Sequence, residues 1–207
     1  MLTARPTRAT LKPTRKAQRA FTLIELLVVV AIIGALAGVL LPNIITARKK
    51  ANQVQCLQKV KGIGAMLLSY PDEEGNRGLF PFGNGRTPLA YESLQKLIDQ
   101  YAGNLKPDQF ICPDSIDLAA VADAQGKFAL TEQNNSYAYL ATAKKNTTQG
   151  TTILICDDSV KDEANGVEEN HEDGVNAFFA DNSAKFLKKT EVFPDTALPA
   201  GLVGNSQ

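Results

Sequence analysis

The chain has 207 residues, 44% of them apolar, and its 22 Lys and Arg balance 22 Asp and Glu. That length accommodates one or two domains, and a single His with three Cys excludes a multi-histidine metal centre and a dense disulfide scaffold. The charge is unevenly placed: residues 1–20 hold Arg5, Arg8, Lys12, Arg15, Lys16 and Arg19 and no acid, which leaves residues 21–207 at a net of −6. An acidic body lacks the clustered Lys and Arg that phosphates require, so no nucleic-acid partner is expected.

After the basic head, Phe21 to Leu41 is a run of 21 residues interrupted only by Thr22 and Glu25. As a helix at about 1.5 Å per residue it spans roughly 32 Å, enough to cross the hydrocarbon of a bilayer. A cleaved secretory signal would have a shorter apolar stretch and end in a small-x-small site. Here the run continues to Pro42 and into a further helical pattern, so the span is read as retained. Basic groups flank it on both sides, including Arg48, Lys49 and Lys50, so charge alone barely favours a cytoplasmic head. Glu25 stands out, because a carboxylate within a membrane helix costs on the order of 3 kcal/mol unless it reaches water or is paired.

These residues carry a resemblance. The stretch from Ala20 through Phe21-Thr22-Leu23-Ile24-Glu25 to Gly34, with Pro42 beyond it, resembles the N-terminal signal of type IV pilins and type II secretion pseudopilins. The resemblance implies that a prepilin peptidase cuts between Ala20 and Phe21 and methylates the new amine of Phe21. It assigns assembly to Glu25, which would meet the freed amine of a neighbouring subunit, and helix bending to Pro42. It also implies a leader in the cytoplasm, a single pass through the inner membrane and a body outside, with an inner-membrane platform driving assembly. The family usually has Gly before the cut where this chain has Ala20, so slower processing is expected. Gly34 and Gly38 form a small-x-x-x-small pair, read either as ordinary membrane-helix glycines or as a site of close helix contact.

Beyond Pro42, the residues Ala47, Ala51, Val54, Leu57, Val60, Gly64 and Leu67 step by three or four between polar positions, which predicts an amphipathic continuation to about Tyr70. Pro71 to Pro88 reads as loop, and Thr87-Pro88 as the start of a short helix with Leu94, Leu97, Ile98 and Tyr101 on its apolar face. Strands are expected at Ser136–Leu140, Thr151–Cys156, Val175–Ala180 and Ala184–Lys188, the last two joined by a turn at Asp181-Asn182-Ser183. The predicted organisation is a leader at 1–20, a membrane or filament-core helix at 21–41, an amphipathic half at 42–70 and a soluble domain at 71–207. The fold class is α+β, a long helix on a small antiparallel sheet.

A second resemblance links Phe110-Ile111-Cys112-Pro113-Asp114, Asn135-Ser136-Tyr137 and His171 with Asp181 to pilin-like proteins that carry an H-x9-DG signature. In this chain Asn182 takes the place of the Gly, and Asn also tolerates positive φ.

Three features bear on chemistry. His171, if a metal ligand, would need partners such as Cys112, Cys156 or Asp181, and no CxxC or HxxxH spacing points to a site. Its structural alternative is a ring bonded to backbone or to Asp181, pinning the loop before the last hairpin. Cys112 and Cys156 could form a disulfide contributing roughly 3–4 kcal/mol, or remain two buried thiols, with Cys56 a small apolar residue of the long helix. The acidic stretch around Asp157, Asp158, Asp162 and Asp173, with Asp181, is either a solvated loop or a calcium site. The major type II pseudopilin, which the chain resembles, binds calcium in a C-terminal loop. The leading expectation is a structural subunit polymerising with itself or other pilin-like chains. Its rivals are an adhesive or ligand-binding minor subunit and, less favoured, an anchored enzyme.

Overall fold

A computed structural model describes residues 21–85, 88–140, 149–157, 171, 174–188 and 202–203. By compactness the chain divides between Ile45 and Thr46 into two units. Helix α1 runs Leu23–Ser69, followed by a single 3-10 turn at Tyr70–Asp72, where Pro71 ends the α-helical pattern. Pro42 lies inside α1, and the side-chain amide of its neighbour Asn43 donates to the Val39 carbonyl at 3.3 Å. Helix α2 runs Ala90–Gln100. Its start is set by Glu92, which accepts from the Leu89 N–H at 3.0 Å, so the helix begins two residues after the expected Pro88.

Five strands follow: β1 Tyr137–Leu140, β2 Ile153–Asp157, β3 Gly174–Phe179, β4 Ala184–Lys188 and β5 Leu202–Val203. They form one antiparallel sheet in the order β4-β3-β2-β1-β5. The four expected strands are present within a residue or two. The two-residue β5 adds to the free edge of β1, and too short a run of Leu-Val carries no periodicity by which to predict it. Asn182 adopts φ 67° in the β3–β4 turn, so Asn does take the left-handed position usually given to Gly.

The second unit has the core. Cys56, Val60, Ile63, Gly64 and Leu67 of α1 are buried. This stripe is displaced from the one expected, since Ala47, Ala51 and Val54 are exposed and Cys56 is its first fully buried member. Against it lie Phe178 from β3 and Tyr137 from β1, and α2 adds Leu94, Leu97 and Ile98. The architecture is α+β, a long N-terminal helix on a small antiparallel sheet.

Candidate functional site

Two places carry functional side chains, one in each unit. In the first, α1 begins with a reciprocal cap. Glu25 Oε2 accepts from the Thr22 N–H and from Thr22 Oγ1, both at 2.8 Å, and Thr22 Oγ1 accepts from the Glu25 N–H at 3.3 Å. The Thr-x-x-Glu spacing is a capping box, and it was present in the sequence as a signal independent of any membrane role for Glu25. In the isolated chain the carboxylate thus has a local partner. Every large apolar side chain of this unit is exposed, from Phe21 at 72% and Leu23 at 81% through Leu41 to Ile45. Gly34 and Gly38 have open space where a Cβ would stand. Among the described residues this is the one helix long and apolar enough to cross a membrane. Ala20 and the basic leader lie outside the described residues.

In the second unit, four elements converge on a buried cluster. Cys56 comes from the buried stripe of α1. Cys112 and Asp114 come from a turn closed by the Ser115 N–H to the Cys112 carbonyl at 3.0 Å. That turn is tied to α1 by Lys59 Nζ, which donates to the carbonyls of Asp108 at 2.6 Å and Ile111 at 2.9 Å. Asp157 ends β2, opposite Tyr137. His171 stands shortly before β3 and is 8% exposed, while Cys56, Cys112 and Asp157 are fully buried.

The contacts form a closed set. Cys112 Sγ lies 3.5 Å from His171 Nε2, and Asp157 Oδ2 lies 3.4 Å from the same nitrogen. Cys56 Sγ donates to Asp157 Oδ1 at 2.6 Å and lies 3.6 Å from Tyr137 Oη. One donor atom from each of Cys56, Cys112, Asp157 and His171 falls within 4.8 Å of all the others. Around them, His171 Nδ1 donates to Asp114 Oδ2 at 3.0 Å, and Asp114 Oδ1 accepts from the Asn52 side-chain amide. Asp157 Oδ2 also accepts from the Asn176 N–H at 2.8 Å.

The ionisation of the cluster follows from these neighbours. The hydrogen bond from Cys56, aided by that from His171, holds the Cys112 thiol down to about 5 against the effect of burial. Burial pushes Cys56 well above the ordinary thiol value. Burial, reinforced by the nearby Cys112 charge, pushes Asp157 up to about 7. For His171, burial opposes protonation, but the hydrogen bond to Cys112 and the charges of Asp157, Cys112 and Asp114 outweigh it and raise its affinity for a proton.

Three expectations are corrected here. The Cys112–Cys156 bridge does not form, and none of the three cysteines is in a disulfide. Successive strand residues point to opposite faces, so β2 sends Asp157 towards Cys56 and His171 and turns Cys156 away from them. His171 bonds to Asp114, Asp157 and Cys112, not to Asp181, which sits in the β3–β4 turn and accepts from the Ser183 N–H. The carboxylates proposed for calcium do not share a site where they are described. Asp157 is at the end of β2 beside the start of β3, whereas Asp181 follows the end of β3 and bonds back to Gly150. Asp158, Asp162 and Asp173 lie outside the described residues. Cys56, read from sequence as a small apolar residue, is a full member of the cluster, and only its placement on the buried stripe could have flagged it.

Comparison with known proteins bears on the helix head. Residues 15–41 match the family described as the prokaryotic N-terminal methylation motif. Over 34 residues the chain is 65% identical to the type IV wide pilus major component PilA4 of Thermus thermophilus, covering 16% of this chain and 26% of that protein. It is 31% identical over 84 residues to type II secretion system core protein G of Klebsiella michiganensis, covering 41% of this chain and 52% of that protein. The corresponding protein of Pseudomonas aeruginosa is 30% identical over 93 residues, with 45% and 58% covered. The chain thus spans about half the length of the core protein G relatives and a quarter of the pilin. No solved structure matches. The methylation motif, the apolar helix and the sheet packed on its continuation are those of a type IV pilin or pseudopilin.

Proposed function

We propose that the chain is a structural subunit of a type IV pilus-like filament or a type II secretion pseudopilus. The observation that carries this reading is the head of α1: Phe21 and the Thr22–Glu25 cap open a helix whose apolar side chains are all exposed in the isolated chain. Exposed area of that kind is stable only in lipid or against copies of itself. A prepilin peptidase cuts before Phe21 and methylates its amine, and the leader stays in the cytoplasm while the globular unit lies outside the inner membrane. On assembly, Glu25 exchanges its Thr22 partners for the new amine of an adjacent subunit, which neutralises two charges together inside an apolar bundle. Gly34 and Gly38 allow neighbouring helices to approach closely. Self, other pilin-like chains, the peptidase and the membrane assembly platform are the partners this requires.

The experiment is Glu25→Val in the full chain, expressed with its own assembly apparatus. The variant should be cleaved and retained in the membrane fraction but be absent from filaments sheared off the cells. Incorporation at the wild-type level would overturn the proposal.

A further inference from the structure

Thiols, a carboxylate and an imidazole seldom share a closed interior unless they are paired or hold a metal, because each loses its hydration. Here they come from four separate elements, and three of the four are fully buried. The sequence Cys112–His171–Asp114 has the connectivity of a nucleophile, a base and its orienting acid. Cys112 is fully buried, however, so no substrate reaches its sulfur. What the arrangement can do without access from outside is ligate.

From this geometry we infer that Cys56, Cys112, Asp157 and His171 form a structural zinc site. A tetrahedral ion with bonds of about 2.3 Å to sulfur and about 2.0–2.2 Å to nitrogen or oxygen holds its donor atoms roughly 3.3–3.8 Å apart. The Cys112 Sγ–His171 Nε2 separation of 3.5 Å and the His171 Nε2–Asp157 Oδ2 separation of 3.4 Å are edges of such a tetrahedron. Cys56 completes the set through its contact with Asp157. The surroundings are also those of a ligated histidine. Asp114 accepts from Nδ1, which leaves the Nε2 lone pair facing the other donors, and Asn52 holds Asp114 in turn. The Asn176 N–H fixes the Asp157 oxygen nearest His171.

The donor set selects the ion. Calcium takes six to eight oxygens, and two sulfurs and a nitrogen do not suit it. Two thiolates, an imidazole and a carboxylate suit zinc, which has no preference that a tetrahedron would violate. All four positions are filled by protein, which marks a structural site and leaves no place for a catalytic water. Loading releases the protons of the Cys56 and Cys112 thiols and leaves His171 neutral with its proton on Nδ1. The ion would join α1, the Cys112-Pro113-Asp114 turn, the end of β2 and the approach to β3, the parts of the second unit most distant in sequence.

The test uses the untagged full chain, solubilised in detergent and purified without chelator, with metal content read by plasma mass spectrometry. One zinc per chain is expected. After chelation, one equivalent of cobalt should restore a thiolate-to-metal charge-transfer band and the visible absorption of a tetrahedral ion. Cys156→Ser should retain zinc, Cys112→Ser and His171→Gln should lose it, and Asp114→Asn should weaken binding about 10–100-fold. If the ligand variants do not fold, the wild-type zinc content and cobalt spectrum still decide. A wild-type chain with no stoichiometric zinc and no cobalt band overturns the inference, as does a Cys56–Cys112 disulfide found by non-reducing peptide mapping.

Discussion

Gly64 lies so close beneath the ring of Phe178 that a Cβ at this position would stand 2.2 Å from Cδ1. The contact brings α1 onto β3 and seals the core below the Cys56 turn of the helix. Phe178 is fully buried and cannot swing away into solvent. Gly64→Ala should therefore destabilise the globular unit by about 1–3 kcal/mol, despite the better helix propensity of Ala. Urea melts of the full chain in detergent would measure this, and Phe178→Leu in the Gly64→Ala background should recover part of the loss.

Tyr139 is fully buried in β1 and donates from its hydroxyl to the Pro81 carbonyl at 2.9 Å. The bond anchors the loop after α1 to the sheet. Tyr139→Phe leaves a buried carbonyl without its donor and should cost about 1–3 kcal/mol. The same melts would detect it, and an unchanged midpoint would show that water replaces the hydroxyl.

Ala20 precedes the proposed cut. Its extra methyl relative to glycine restricts the backbone conformations available to the scissile peptide. Ala20→Gly should speed conversion of the longer to the shorter form in a pulse-chase experiment, and the mature product should begin with methylated Phe21 in both cases.

Zinc removal offers a separate readout on stability. An ion that binds only the folded chain raises its apparent stability in proportion to the logarithm of its free concentration. Chelator should lower the melting temperature of the wild-type chain. It should leave Cys112→Ser, which starts without the ion, where it was. The helix head is untouched by this treatment, so membrane retention should not change.

The sequence determined what depends on neighbours along the chain. The apolar run from Phe21, the Thr22–Glu25 spacing, the stop at Pro71 and the four main strands are local patterns, because side-chain period and capping are set within a few residues. Tertiary structure decided the rest. Residues 56, 112, 157 and 171 follow no ligand-spacing motif, and a disulfide between Cys112 and Cys156 looked as reasonable as any pairing until the pleat of β2 turned Asp157 inward and Cys156 away. The buried stripe of α1 likewise begins at Cys56, not at Ala47, because burial on a helix depends on where the sheet is laid against it.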